Sequence, residues 1–281
     1  FEDVLGLQPH PNILFMAGDL VMGYQVDTVK LARELAAWRS HFETLPFSHS
    51  DIRMVPVVGN HETQDSVRVS FAAAERVWLR EMAPYIVAHN GPHPGDQDSL
   101  VTDQASLSYS FDDGPMHFVT LNTDPVGRDA HVPAHWVGED LAAARARGYQ
   151  HLFAIGHKPA FAFDDAESNG LVYSSRDALW SALESNGAHA MLCAHNHIYR
   201  RFRPRQSTWM IIAGNGGSPL EGSVSSVEHF YGFTRIVLTK GGRVIEESYG
   251  RDIPAEGYLA PCPASAYPTT IRDTFELTRP R

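Results

Sequence analysis

Four apolar runs of this 281-residue chain end in short polar segments, and three of the four segments begin with glycine. The segments are Gly18-Asp19, Gly59-Asn60-His61-Glu62, Gly156-His157 and His195-Asn196-His197. Each apolar run has the length of a buried strand, and stretches with helical periodicity lie between the runs. Because the carboxyl ends of strands in an α/β sheet open onto a common crevice, we expect these polar side chains to lie close together.

The rest of the pattern predicts an α/β domain with mixed strand directions. Predicted helices cover residues 26–45, 70–85, 133–148 and 174–187, and the four apolar runs predict strands at 13–19, 51–60, 150–157 and 188–195. Alternation on both sides of Asp112-Asp113-Gly114 predicts a β-hairpin within 105–124. Further strands at 207–217, 231–239 and 242–250 are predicted to be antiparallel. The chain contains no interdomain linker, so residues 1–281 are predicted to form one domain, with an irregular, proline-rich tail at 251–281.

Composition excludes several classes of function. The formal net charge of -10 argues against a dedicated nucleic-acid-binding or anionic-membrane-binding surface. An anionic substrate remains compatible with this charge, because a bound metal ion reverses the local field. No apolar stretch approaches the roughly 20 residues that span a bilayer. The two cysteines, Cys193 and Cys262, are too few for a disulfide framework, and whether they pair is left open.

The side chains that follow the four runs form a mixed oxygen and nitrogen donor set. It consists of one carboxylate (Asp19), one amide oxygen (Asn60) and three imidazoles (His157, His195 and His197). Such a set suits iron, manganese, zinc or cobalt and suits calcium poorly. Taken singly, each residue has a structural alternative: Asp19 as a turn or helix cap, Asn60 in an Asx-turn, and His157 as a histidine at the rim of the sheet.

In their order along the chain, the segments "AGDL", "GNHE", "IGHK" and "AHNH" resemble the motifs of the calcineurin-like metallophosphoesterases, which include the purple acid phosphatases. The resemblance extends over most of the chain. It implies an α/β fold of the metallophosphoesterase type, a four-layer αββα sandwich of two mixed sheets. It also implies a binuclear centre of divalent or trivalent transition metals, with iron, manganese or zinc as the candidates.

The resemblance assigns a role to each residue. Asp19 would bridge the two metals, Asn60, His157 and His195 would complete one metal site, and His197 would serve the other. His61 would contact the substrate phosphate and assist the leaving group, and Glu62 would orient its motif. Asp19 and His61 are therefore the predicted catalytic residues.

The predicted reaction is hydrolysis of a small phosphoester by a hydroxide held between the two metals. An acid-phosphatase-like phosphomonoesterase is the preferred interpretation. One alternative is a phosphodiesterase acting on cyclic nucleotides or phospholipid head groups, and another is a catalytically silent metal-binding relative.

Two departures from the family pattern affect this interpretation. No D-x-H segment precedes Gly18-Asp19. In the family, that motif normally ends the first central strand and supplies an aspartate and a histidine as ligands of the first metal. We expect the native chain to carry this strand upstream of Phe1; the alternative is a mononuclear or inactive relative. In addition, the tyrosine that binds ferric iron in purple acid phosphatases is replaced by Met22. Nearby Tyr24 is expected to pack against or line the pocket.

Two cations and the cellular location complete the predictions. Lys158 and Arg200 lie beside the predicted metal loops and either contact the substrate phosphate or are solvated surface cations. The acid-phosphatase-like pattern predicts an exported protein, periplasmic or extracellular, with a cytoplasmic location as the alternative. Lysine occurs only at positions 30, 158 and 240, a usage associated with GC-rich bacterial genes. The oligomeric state is not predicted.

Overall fold

The computed structural model of the protein describes residues 1–162, 169–205 and 207–278. Its helices are α1 (Glu2–Leu5), α2 (Thr28–Glu43), α3 (Asn60–Thr63), α4 (Ala72–Met82), α5 (Ala134–Ala146) and α6 (Tyr173–Ser185), with 3-10 turns at Pro46–His49 and Ala83–Tyr85. Its strands are β1 (Ile13–Ala17), β2 (Arg53–Val57), β3 (Tyr109–Asp113), β4 (Met116–Leu121), β5 (His151–Gly156), β6 (Ala190–Cys193), β7 (Tyr199–Phe202), β8 (Trp209–Ala213), β9 (Tyr231–Leu238), β10 (Val244–Arg251) and β11 (Thr270–Glu276). All the helices and strands that the sequence predicts are present.

The strands form three hydrogen-bonded sheets. The largest has the order β3-β4-β5-β6-β8-β7, in which β4, β5, β6 and β8 are parallel and the two edge strands are antiparallel to their neighbours. A second sheet consists of β1 and β2 in parallel, and a third of β11-β10-β9, all antiparallel. The parallel pairs β1-β2 and β5-β6 are the four apolar runs, so their carboxyl ends carry the polar segments.

The predicted αββα arrangement of layers is confirmed. One face of the six-stranded sheet buries alternate residues such as Leu152 and Met191 against α5 and α6. The opposite face, which includes Phe153, packs against residues of β1, β2, β9, β10 and β11. Helices α2 and α4 form the outer layer on the far side. The second β layer is made of two separate sheets instead of one mixed sheet, since no strand of β1-β2 is hydrogen-bonded to β9, β10 or β11 in the described residues.

Two predictions about the carboxyl-terminal third need correction. The tail at 251–281 is not wholly irregular, because Thr270–Glu276 forms β11 at the edge of the third sheet. This edge strand places Phe275 in the core but leaves Ile271 exposed, so its alternation is too weak to detect in a proline-rich context. Strand β8 is parallel to β6 and antiparallel only to β7, a short strand that the sequence did not predict.

Two other predictions have a structural outcome. Cys193 and Cys262 are both free thiols, with Cys193 buried in the core. None of the helices in the described ranges combines the length and the apolar character needed to cross a membrane. The D-x-H strand expected beside β1 stays a prediction: among the described strands β1 pairs only with β2, and all five of its residues are half-buried.

A buried histidine connects the β3-β4 hairpin to helix α5. His117 is 1% exposed, and its Nδ1 and Nε2 atoms lie 2.6 Å from Asp112 and 2.7 Å from Asp140. Burial alone would lower the pKa of His117, but the hydrogen bonds to Asp140 and Asp112 raise it above the ordinary value of 6.5. Burial would raise the pKa of Asp112, but the hydrogen bond with His117 lowers it overall. The imidazolium therefore stabilises the folded state.

We predict that His117→Gln lowers the free energy of unfolding by about 2 kcal/mol near pH 6. A raised folded-state pKa contributes stability that is complete below 6.5 and is lost as the pH rises through the raised value. The difference between wild type and variant, measured by urea denaturation, should therefore shrink between pH 6 and 9. The exposed His41→Gln is the control and should show no such trend. A difference that stays constant over this range would contradict the assignment.

Candidate metal centre

The carboxyl ends of β1 and β5 meet across the two β layers. His157 follows β5 and donates from Nδ1 to the carbonyl oxygen of Ala17, the last residue of β1, at 2.7 Å. Its Nε2 atom lies 3.0 Å from Oδ2 of Asp19. A backbone carbonyl can only accept, so the Nδ1 proton is held there and Nε2 faces the carboxylate.

His195 joins this pair from the carboxyl end of β6. Its Nδ1 atom lies 3.1 Å from Nε2 of His157. Asp19, His157 and His195 each offer a ligand atom, and these atoms lie within 4.8 Å of one another. This spacing is compact enough for one metal ion to be bound by all three residues.

Asn60 supplies a further oxygen from the end of β2. The residue is 3% exposed, and its amide nitrogen donates to the hydroxyl of Tyr24. In the part of the chain that the structure describes, its Oδ1 atom is buried without a hydrogen-bond partner. Buried amide oxygens are rarely left unsatisfied, so this atom fits a role as a metal ligand. Tyr24 orients the amide and thereby lines the site, in agreement with its expected position.

Two more histidines have the same arrangement as His157. His61 donates from Nδ1 to the carbonyl of Met22 at 2.8 Å, and His197 donates from Nδ1 to the carbonyl of Pro219 at 2.7 Å. In both, Nε2 is the ring atom left for a ligand or substrate. The Nε2 atom of His61 lies 3.5 Å from Oδ2 of Asp19, which places this predicted catalytic histidine at the edge of the cluster.

His197 lies outside the three-residue cluster. Its backbone nitrogen donates to Glu221 at 3.2 Å, so the loop after β8 positions this histidine. The structure thus brings together Asp19, Asn60, His61, His157 and His195, and the role of His197 in a second metal site stays a prediction.

Glu62 holds together the loops that follow β1 and β2. Its Oε2 atom accepts hydrogen bonds from the backbone nitrogens of Asp19 (3.0 Å) and Gly59 (2.9 Å), and its Oε1 atom accepts from Val21 (3.2 Å). The side chain is completely buried. Burial and the neighbouring Asp19 charge raise the pKa of Glu62 to about 7. Both carboxylate oxygens are occupied by backbone donors, which agrees with the predicted role in orienting the motif.

The charges around the cluster favour the ligand forms of Asp19 and His195. Burial raises the pKa of Asp19, but the positive charge and hydrogen bond of His157 outweigh it and lower the pKa well below its ordinary value. Burial and the charge of His157 lower the pKa of His195 to about 3. Asp19 is therefore an anion and His195 a neutral imidazole over the physiological pH range, which are the forms that bind metal.

The backbone geometry leaves no room for larger residues between the loops. Gly18 has φ +88°, in the left-handed region that glycine adopts at little cost. A Cβ atom on Gly59 would collide with the Asp19 carboxylate and backbone nitrogen. These two glycines allow the loops after β1 and β2 to approach within hydrogen-bond distance.

The two cations that follow the metal motifs are held by carboxylates. Lys158 is 6% exposed, and its Nζ atom lies 2.5 Å from Asp124, which is itself buried. Arg200 forms a two-point ion pair with Glu228, at 2.6 and 2.8 Å. Neither expectation for these residues, a phosphate contact or a solvated cation, describes this pairing. The carboxylate partners lie far away in sequence, so no local pattern reveals them.

A further cation that the sequence analysis did not select lies beside the cluster. The guanidinium carbon of Arg68 is 3.4 Å from the centroid of the Tyr24 ring, and the Tyr24 and His61 ring centroids are 4.1 Å apart. Arg68 occurs in the polar loop "QDSVRVS", where a single arginine carries no motif signal.

Comparison with protein families decides what this set of motifs represents. The model of the calcineurin-like phosphoesterase family matches residues 1–199. The chain belongs to this family. The match covers all four polar segments and therefore every residue of the cluster.

Solved structures show the same calcineurin-like phosphoesterase fold. A purple acid phosphatase from yellow lupin (Lupinus luteus) seeds aligns with a TM-score of 0.59 and 15% identity over 85% of this chain and 44% of the lupin chain. A dimetal phosphatase from Danio rerio aligns with a TM-score of 0.53 and 14% identity over 85% of this chain and 81% of the other. The chain thus spans less than half the length of the lupin protein. A search among curated proteins finds no match.

We predict that Glu62→Gln weakens metal binding by about 10- to 100-fold, because one acceptor that holds a backbone N–H becomes a donor facing it. Chelator competition measures the affinity. The control is Glu139→Gln, which changes an exposed glutamate on α5 in the same way. Unchanged metal affinity in Glu62→Gln would show that the loops after β1 and β2 keep their geometry without this carboxylate.

Proposed function

We propose that this protein is a metal-dependent phosphomonoesterase. The observation that carries the proposal is the donor cluster at the strand ends: Asp19, His157 and His195 have ligand atoms within 4.8 Å of one another. The buried Oδ1 atom of Asn60, which has no hydrogen-bond partner among the described residues, adds a further donor. Membership of the calcineurin-like phosphoesterase family supports the reaction class. The acid-phosphatase-like motifs support the monoester as substrate.

The residues present fit a transition-metal centre. Asp19, Asn60, His157 and His195 would hold one metal ion, with Asp19 shared with a second ion that His197 would bind. When bound, such ions neutralise charge on phosphoryl oxygens and lower the pKa of coordinated water to near neutrality. Iron, manganese and zinc all accept this mixture of oxygen and nitrogen ligands.

His61 is the group that this chain offers to the leaving oxygen. Its Nδ1 proton is held by the carbonyl of Met22, so Nε2 is the atom that faces the cluster. In the imidazolium form Nε2 carries a proton that it can donate as a hydrogen bond, or transfer, to the oxygen that leaves. Export to the periplasm or the medium is part of the same proposal.

We predict that the purified protein loses activity toward an aryl phosphate monoester on chelation and regains it on addition of metal. Elemental analysis should find about two metal ions per chain. Asp19→Asn should reduce both metal content and turnover, the latter by at least about 100-fold. Asp113→Asn, at the opposite end of the sheet, serves as the control for loss of one carboxylate and should retain full activity.

The outcomes of this experiment separate the alternatives. Faster turnover of an aryl phosphate diester than of the monoester would identify a phosphodiesterase. Metal binding without turnover of either ester would identify a silent relative. Activity that survives complete removal of metal would contradict the proposal.

We predict that His61→Gln slows hydrolysis by about 10²- to 10⁴-fold for aryl phosphates with poor leaving groups. The loss should be smaller for good leaving groups, because these depart without protonation. Rates over a series of substituted phenyl phosphates measure the dependence, and elemental analysis should show unchanged metal content. An equal loss across the series would assign His61 a role other than assistance to the leaving group.

A further inference from the structure

Tyr24 is held rigidly against the candidate metal centre. Its backbone nitrogen donates to the carbonyl of His61 at 2.8 Å, and its hydroxyl accepts from the Asn60 amide. The preceding Gly23 lies so close to His61 that a Cβ atom would collide with the His61 carbonyl. The Tyr24 ring therefore has a fixed position beside the residue proposed to assist the leaving group.

Arg68 extends from a second rigid loop to the same ring. The carboxylate of Asp65 accepts hydrogen bonds from the backbone nitrogens of Val67 (2.9 Å) and Val69 (3.1 Å), and the nitrogen of Arg68 donates to the Asp65 carbonyl at 3.0 Å. A β-bridge between Gln64 and Ser70 closes the base of the loop. The loop thus directs the guanidinium onto the Tyr24 ring as a cation–π contact.

Backbone strain marks four residues in this region, including Tyr24 and Arg68. Among the described residues, six other than glycine have positive φ. Four of the six belong to this region: Asp19 (φ 55°), Tyr24 (φ 52°), Arg68 (φ 67°) and His195 (φ 64°). Side chains rarely adopt this region without compensation, and such residues concentrate at functional sites. Tyr24 and Arg68 share this feature with two predicted metal ligands.

The guanidinium of Arg68 is available for an anion. Throughout residues 1–162, 169–205 and 207–278, no carboxylate lies within ion-pair distance of it. The residue is exposed, so the guanidinium keeps its N–H donors toward solvent. Lys158 and Arg200, in contrast, are each held by a carboxylate. A planar guanidinium with free donors matches the geometry of phosphate oxygens.

We propose that Arg68, positioned by the Tyr24 ring, binds the non-bridging oxygens of the phosphoryl group that is transferred. This inference rests on the proposed function and deepens it. A phosphomonoester presents two negative charges on that group at neutral pH, whereas a diester presents one. Arg68 therefore selects monoesters, while His61, on the same ring, faces the leaving oxygen.

Calorimetry with inorganic phosphate tests this proposal on the metal-loaded protein. Inorganic phosphate has no leaving alcohol. Its affinity therefore reports a contact of Arg68 with the phosphoryl group itself and not with a second anionic group on the alcohol. We expect Arg68→Gln to weaken phosphate binding at least about tenfold and Arg68→Lys to weaken it less. Arg243→Gln removes the same charge from the β9-β10 turn and should leave the affinity unchanged.

Kinetics and a Tyr24 pair provide independent readouts. In Arg68→Gln, KM for an aryl phosphate monoester should rise about tenfold, with KM for the diester changing about twofold or less. Tyr24→Leu should weaken phosphate binding although the charge of Arg68 remains, and should do so more than Tyr24→Phe, which keeps the ring and loses only the hydroxyl contact with Asn60. Metal content is measured in both Tyr24 variants so that any effect through Asn60 is identified.

The results distinguish failure of this inference from failure of the proposed function. If wild type turns over monoesters but Arg68→Gln binds phosphate as tightly as wild type, the role of Arg68 is refuted and the function stands. If wild type shows no turnover but binds phosphate through Arg68, the function is refuted and the anion site stands. Equal weakening by Arg68→Gln and Arg243→Gln would reduce the effect to net charge and overturn the proposal.

Discussion

The candidate metal centre depends on one buried carboxylate that binds no metal in our assignment. Glu62 accepts three backbone hydrogen bonds, from Asp19 and Val21 in the loop after β1 and from Gly59 in the loop after β2. Burying a carboxylate is costly, and these donors together with the charge of His157 offset part of that cost. The charged form of Glu62 is therefore favoured when both loops lie close enough to donate. Asp19 and Asn60 acquire their mutual position from this condition.

The imidazoles are positioned by a second, repeated device. His61, His157 and His197 each donate their Nδ1 proton to a backbone carbonyl, of Met22, Ala17 and Pro219 respectively. Because the acceptor is a main-chain oxygen, the tautomer does not depend on the protonation of another side chain. In the neutral form of all three rings, Nε2 therefore carries the lone pair that can bind a metal ion. The loops that carry these carbonyls belong to both β layers, so the packing of the layers sets the orientation of the rings.

Patterns within a single segment explain which parts of the fold and the site could be predicted. The strands before Asp19 and His157 are continuous apolar runs, and their parallel pairing follows from the helices between them. Strand β11 was missed because its own apolar alternation is weak, and its strand conformation depends on hydrogen bonds to β10. Arg68 was missed for a related reason: its position results from a left-handed backbone and a contact with Tyr24, 44 residues earlier in the sequence, which no spacing rule encodes.

The charge of the protein gives the Arg68 position its significance. A chain with a net charge of -10 repels an anionic substrate at long range. Near the site, Asp19 adds negative charge, and the cations Lys158 and Arg200 are compensated by Asp124 and Glu228. Attraction of a phosphoester must therefore come from bound metal ions and from a cation whose charge is not compensated by a carboxylate. A stacked arginine meets that need, because the Tyr24 ring contacts both its guanidinium and the His61 imidazole.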